Sequence, residues 1–211
     1  MDLYFFDLDK TLYAYDFRKR LPELARLSGA SQYRLAKLWW VSGREERAEA
    51  GEWPTVDAYP HEFPRVTGGR RLTLEEWAAA RALAMTGIDG SIAALRRAAQ
   101  LGTVSLLSNN PAPLCAALPL LAPDIAEIPG SNVLQSFQLD ARKPSAVLFE
   151  RAMAHYGGSP ENTFFTDDSL ENIVGARALG FTAHRLDCVD NTPQTDEQMI
   201  AIEAFASRSR A

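Results

Sequence analysis

Residues 3–6 read Leu-Tyr-Phe-Phe, an apolar run that stops at two carboxylates, Asp7 and Asp9, with Thr11 just beyond. An uninterrupted apolar run suits a strand buried on both faces, as in parallel sheets. Side chains two apart on a strand share a face, so Asp7 and Asp9 start out pointing the same way. They fall at the strand's carboxyl end, where ligands gather in open α/β sheets. Two like charges that close repel unless a cation lies between them or one keeps a proton. The chain therefore opens on a reactive arrangement at the edge of a sheet.

The same texture returns further on. Residues 103–107 form a second buried-strand run, ending in Ser108-Asn109-Asn110, and residues 163–166 a third, ending in Asp167-Asp168. Further strands are expected at about 133–136 and 181–186, with helices at about 91–100, 112–121 (opened by Pro111), 146–156 and 170–179. Strands alternating with helices imply an α/β fold with a central parallel sheet and right-handed crossovers. The end of the chain reads as a polar turn, a helix and a frayed basic tail.

Residues 13–86 have no strand texture, and the spacing predicts an all-helical insertion. Pro22 suits a helix start, with Leu21, Leu24 and Leu27 at helical spacing before Ser28-Gly29 ends the element. Ser31 caps a second helix carrying Trp39 and Trp40, which ends near Gly43. A third, over 44–50, closes with Gly51. Residues 53–69 hold three prolines and read as irregular, with at most a short helix over 55–63 interrupted by Pro60. Thr73 and Glu76 fit a capping box that starts a helix reaching about residue 85. The expected organisation is a core of residues 1–13 and 87–211 with a helical domain, 14–86, inserted after the first strand.

Composition bounds the function. The 211 residues are 46% hydrophobic and 23% charged, as in an average soluble globular protein. A formal charge of −5 gives no general attraction for nucleic acid or an anionic membrane. Charge is uneven: residues 17–47 carry eight basic and three acidic side chains. Of these, Arg18, Lys19, Arg20, Arg44 and Arg47 read mainly as solvated helix faces, with an anionic metabolite as the other use. Trp39, Trp40 and Trp53 read as insertion core rather than a substrate wall. Cys115 and Cys188 lack metal-site spacing and are expected as buried free thiols, and the three histidines have no ligand spacing. A strand starting at residue 3 leaves no room for a signal peptide, and no apolar run approaches the ~20 residues of a membrane span. A cytoplasmic protein is expected; the oligomeric state is left open.

The run Asp7-Leu8-Asp9-Lys10-Thr11 resembles the first motif of the haloacid dehalogenase (HAD) superfamily, and three more motifs follow in the family's order. Leu106-Leu107-Ser108-Asn109 is similar to the second, Arg142-Lys143-Pro144-Ser145 to the third, and Phe164-Phe165-Thr166-Asp167-Asp168 to the fourth. The resemblance implies a Rossmann-like HAD core, with 14–86 as a small helical C1 cap that closes over the site and selects substrate.

It also implies roles. Asp7 would be the nucleophile, forming an aspartyl-phosphate, and Asp9 the general acid and base. Lys143 would supply charge beside Asp7, while Ser108 and backbone N–H groups at Asn109 would hold phosphoryl oxygens. Mg2+ would be held by Asp7, the Asp9 main-chain carbonyl and Asp168. Asp167 would either assist the metal or cap the next helix. Asn172 stands where many relatives carry an acidic residue. Ser108 alone also fits an N-cap, and Lys143 a surface lysine.

The reading that follows is a Mg2+-dependent phosphatase acting on a small phosphorylated metabolite, a sugar phosphate or nucleoside monophosphate. Members that attack carbon lack an acid at the position of Asp9, because a halide leaves without a proton. A β-phosphoglucomutase-like mutase shares all four motifs. A response-regulator-like phospho-switch and an idle HAD fold acting as a binding module are the alternatives of another class.

Overall fold

The computed structural model describes residues 2–126 and 133–208. The last residues of the expected tail, 209–211, lie outside this range. In chain order come β1 (Leu3–Phe6), β2 (Tyr13–Tyr15), α1 (Phe17–Ser28) and α2 (Gln32–Leu35), which runs on as a π turn over Ala36–Trp40. Next are α3 (Arg44–Glu49), α4 (Ala58–Thr67), α5 (Leu74–Ala82), β3 (Met85–Gly87), α6 (Asp89–Leu101), β4 (Thr103–Ser108), α7 (Ala112–Leu121) and α8 (Pro123–Ala126). The chain continues with β5 (Val133–Gln135), α9 (Ala146–His155), β6 (Thr163–Asp167), α10 (Leu170–Ala178), β7 (Thr182–Arg185), a small hairpin of β8 (Cys188–Val189) and β9 (Thr192–Pro193), and α11 (Thr195–Arg208).

Five strands form a parallel sheet in the order β5-β4-β1-β6-β7, with β1 at its centre. Burial on both faces explains the unbroken apolar runs. Tyr4 and Phe6 of β1, Val104 and Leu106 of β4 and Phe164 of β6 face α6, α7 and α11. Leu3, Phe5, Leu107 and Phe165 face α9 and α10 on the other side. Each fully buried aromatic stabilises this sandwich by about 1.5–3 kcal/mol. The expected α/β fold with a central parallel sheet is present, and β1, β4 and β6 all end on the same edge.

The helical insertion departs from expectation in several places. It is not wholly helical, because β2 and β3 pair antiparallel where the chain leaves and rejoins the sheet, with Tyr13 opposite Gly87 and Tyr15 opposite Met85. Helix α1 begins earlier than Pro22: Asp16 caps it by accepting from Arg18 N, and Pro22 lies inside the helix. The segment read as irregular holds α4, which runs through both Pro60 and Pro64. Pro60 falls in its first turn, where its missing N–H is needed least. The capping box at Thr73 and Glu76 is formed, but α5 ends at Ala82 so that the chain can enter β3.

The insertion shares one apolar cluster with the sheet. Leu24, Trp39, Tyr59, Phe63 and Trp77 join Tyr4, Phe6 and Leu8 in it. Trp39 is fully buried against Trp53, Tyr59 and Phe63. The buried Glu45 accepts hydrogen bonds from Trp39 Nε1 and Tyr59 Oη through a single carboxylate oxygen. The cysteine expectation holds only in part: both thiols are free, Cys115 is half-buried, and Cys188 is exposed on β8.

Candidate active site

β1 continues its ladder one residue past its end, with Asp7 N donating to Thr166 O at 3.0 Å. This fixes the Asp7 carboxylate between the ends of β4 and β6. Lys10 then adopts a left-handed conformation (φ 63°), and its N–H reaches Tyr13 O at 2.6 Å. That tight turn lifts Asp9 above the sheet edge, toward the insertion.

Two predicted residues meet at Asp7. One carboxylate oxygen accepts from Ser108 Oγ at 2.8 Å and from Lys143 Nζ at 2.6 Å. Lys143 also donates to Asp167 at 2.6 Å, and its side chain is 1% exposed. It is therefore a buried bridge between two carboxylates and not a surface lysine. Burial works against its charge, and Asp167 and Asp7 override that and raise its affinity for a proton. Burial pushes the Asp7 carboxyl up to about 7, with Lys143 opposing and the Asp167 charge adding to the rise.

The surrounding groups hold this centre in place. Asp167 also accepts from Ser169 N at 2.8 Å and from the Asn172 amide at 3.0 Å. Asn172 thus serves as a donor that fixes Asp167, a job an acidic residue there would not do. Ser108 accepts from Asn110 Nδ2 at 2.9 Å, and Pro111, not Ser108, occupies the N-cap of α7. The Asn109 side chain exchanges two hydrogen bonds with the Lys143 backbone, 3.0 and 2.8 Å, tying the end of β4 to the lysine loop. From the other side, that loop packs on α10 at Gly175, where an added Cβ would lie 2.8 Å from Pro144 O.

Oxygens of Asp7, Asp167 and Asp168 lie within 4.8 Å of one another. Carboxylates are the donors that hard divalent cations prefer. Because Lys143 already occupies Asp7 and Asp167, Asp168 and the second oxygen of Asp7 are the donors left for an ion. Burial and the Asp167 charge raise the Asp168 pKa.

Asp9 is held separately. Arg81, on α5 and 3% exposed, donates from one nitrogen to both Asp9 oxygens at 2.7 and 2.6 Å. Its guanidinium lies over the rings of Tyr15 and Trp77. A cavity of about 410 Å³ opens above Asp9, lined from the core by Asp9, Lys10 and Asn109 and from the insertion by Arg20, Trp40, Glu45, Glu49 and Arg81. A second cavity of about 590 Å³ adjoins Lys10 and Asp168 and runs to Leu186, Cys188 and Asn191. Arg142, beside Lys143 in sequence, reaches Glu49 at 2.9 Å and ties the lysine loop to α3.

The sequence marked Asp7, Asp9, Ser108, Asn109, Lys143, Asp167 and Asp168, and the fold brings all of them to one sheet edge. It did not mark Arg81, whose burial beside Trp77 follows from the register of α5. It treated Arg20 as part of a solvated face, yet Arg20 is 2% exposed. Trp39 is core as expected, and Trp40 and Trp53 pack against the same cluster, with Trp40 also lining the cavity.

A parallel sheet carrying a buried aspartate at its central strand, with lysine and serine from its neighbours on that carboxylate, defines an α/β enzyme built around one carboxylate. The haloacid dehalogenase-like hydrolase family model matches residues 1–180, and the chain belongs to that family. The fold is shared with HAD family enzyme BT-2542 from Bacteroides thetaiotaomicron in complex with magnesium and inorganic phosphate (TM-score 0.71, 18% identity, 89% of this chain and 94% of that one). A HAD-like family hydrolase from Porphyromonas gingivalis gives a TM-score of 0.70 at 22% identity, over 88% and 90% of the two chains. The L-2-haloacid dehalogenase RSc1362 gives 0.59 at 17% identity, over 96% and 99%. No helix among the described residues is long and apolar enough to cross a membrane.

Proposed function

We propose that this hydrolase is a Mg2+-dependent phosphatase that cleaves a small phosphomonoester through an aspartyl-phosphate on Asp7. The observation that carries this reading is Asp9, a second carboxylate on the cavity floor beside the Asp7 strand end. An alcohol leaving group needs a proton donor there, and a halide leaving from carbon does not. Family membership argues against a receiver-like switch. The BT-2542 structure, with magnesium and phosphate bound, supports the same chemistry.

In this reading Asp7 attacks phosphorus with the oxygen beside Lys143, and its second oxygen is the one left for the ion. Lys143, with Asp167 behind it, brings its positive charge to the attacking oxygen and the transferring group. Ser108, turning its one proton from Asp7 to the substrate, and the backbone N–H of Asn109 would steady phosphoryl oxygens, the electrostatic positioning that dominates phosphoryl transfer. Asp9 gives a proton to the departing alkoxide and then takes one from the water that hydrolyses the aspartyl-phosphate. Asp7, the Asp9 main-chain carbonyl and Asp168 form a hard-oxygen set suited to Mg2+. The bound ion would keep Asp7 ionised against the phosphate's charge and offset charge in the transition state. The insertion acts as a cap that keeps bulk water from the intermediate.

The test is phosphate release from sugar phosphates and nucleoside monophosphates, with and without Mg2+, by native protein and Asp7→Asn. Release that needs both the metal and Asp7 is expected. A trapped aspartyl-phosphate without release would favour a mutase. Fluoride or chloride release from 2-haloacids would overturn the reading.

A further inference from the structure

Arg20 is the buried cation that the reaction leaves without a use. The other buried cations in the site are paired, Lys143 with Asp7 and Asp167, and Arg81 with Asp9. Arg20 has no carboxylate within ion-pair distance among the described residues, although its side chain is among the most completely buried in the chain. One guanidinium nitrogen donates to Tyr15 Oη at 2.9 Å, while Nε and Nη2 have no hydrogen-bond partner among the described residues. The guanidinium carbon lies 4.8 Å from the Trp77 ring centroid and 5.9 Å from that of Trp40. Aromatic faces hold a guanidinium in a fixed plane without neutralising it.

The buried Glu45 carboxylate offsets the Arg20 charge from beyond contact distance, but two buried donors of Arg20 have no acceptor, and native structures rarely leave such donors unmet. Arg20 lines the cavity above Asp9. The acids that share this cavity are already engaged: Asp9 by Arg81, Glu49 by Arg142, and one Glu45 oxygen by Trp39 and Tyr59. Arg18, its neighbour on α1, is 90% exposed and pairs with Asp16, so it does not share the role.

We propose that Arg20 is a specificity residue, which receives the second anionic group, carboxylate or phosphate, of a phosphomonoester whose reacting phosphoryl lies at Asp7. This rests on the phosphatase reading of the site, and it narrows the substrate to compounds anionic at both ends. The fork of donors matches either oxyanion, and Trp40 forms a flat wall beside it.

Two matched pairs test it. 3-Phosphoglycerate differs from glycerol 3-phosphate by a terminal carboxylate, and fructose 1,6-bisphosphate differs from fructose 6-phosphate by a second phosphate. The doubly anionic member of at least one pair is expected to show a kcat/KM higher by about 10-fold or more, carried by KM. The pair that responds tells carboxylate from phosphate. In Arg20→Gln the ratio within that pair should collapse toward about one, and Arg20→Lys should recover part of it. Equal efficiency within both pairs for the native enzyme, to within about twofold, overturns the proposal whether or not Arg20→Gln folds. So does a uniform loss on all four compounds in a folded Arg20→Gln. If no compound is hydrolysed, p-nitrophenyl phosphate included, the reaction reading fails, and melting-temperature shifts with the same four compounds decide the subsite. A larger shift with the doubly anionic members, lost in Arg20→Gln, supports it, and no difference overturns it.

Discussion

Arg81 places a single guanidinium nitrogen on both oxygens of Asp9, joining the last helix of the insertion to the proposed acid–base group of the core. The contact spans 72 residues of sequence, and the arginine is buried while Asp9 is partly open to the cavity. It fixes the carboxylate's orientation and ties the position of α5 to that of Asp9.

Asp9→Asn is expected to lower kcat for alkyl phosphates such as glycerol 3-phosphate by about 10²–10⁴-fold, the usual contribution of a positioned acid or base. Aspartyl-phosphate formation from p-nitrophenyl phosphate should fall far less, because nitrophenolate departs without a proton. Rapid-quench measurement of the first turnover on both compounds checks this. Equal losses would show that Asp9 does not protonate the leaving group.

Lys143→Met removes the cation between Asp7 and Asp167. Two buried carboxylates would then face each other, at a cost of about 3–5 kcal/mol near neutral pH. Asp7 already binds its proton more tightly than in the unfolded chain, and loss of the cation that opposes this raises that affinity further. The folded form then binds more protons, so the penalty grows as pH rises and is lost below pH ~4, where both states become protonated. Urea unfolding of both proteins at neutral and acidic pH reads this, and a gap independent of pH would contradict it.

Glu49 gives a second pH signature. Burial, with the Glu45 charge adding and Arg142 opposing, pushes its carboxyl from 4.5 up to about 8. Between those values the folded state holds a proton that the unfolded state has lost, so this group's contribution to stability declines as pH rises through the window. Glu49→Gln lacks that decline. Its melting temperature relative to the native protein should rise as pH is taken from about 5 to about 9, and a constant difference would show that Arg142 keeps Glu49 ionised throughout.

Gly175→Ala is expected to disturb the site without touching it. The new Cβ would meet Pro144 O at 2.8 Å and Pro144 Cβ at 3.2 Å, backbone and ring atoms with little room to yield. The loop carrying Lys143 must then shift. The cost is about 1–3 kcal/mol for overpacking, together with a fall in kcat. A stable variant with native kcat would show that the loop adapts without moving the lysine.

How much of this was legible in the sequence depends on the kind of signal. The strands ending at Asp7, Ser108 and Asp167 were readable because burial on both faces leaves an unbroken apolar run. The site residues followed, since strand ends on one edge converge. Strands β2 and β3 were not readable: three residues each, with Ala14, Thr86 and Gly87 exposed, carry no alternation. Helix α4 was hidden by two prolines that sequence rules treat as breakers. The partners of Asp9 and Arg20 depend on how α1 and α5 pack across the sheet edge, a long-range fact with no local pattern. The Asn109 side chain was invisible for the same reason, since its partner, the Lys143 backbone, lies 34 residues away.

The β2–β3 ribbon has an engineering consequence. Every helix from α1 to α5 leaves and returns through adjacent positions, with Tyr15 opposite Met85. A tight turn joining those two residues would close the ribbon into a hairpin and excise the helices without cutting one strand of the five-stranded sheet. What such a deletion exposes is the apolar floor at Leu8 and Leu12, both fully buried. Any replacement module therefore has to present a greasy underside there and a cation where Arg81 now meets Asp9.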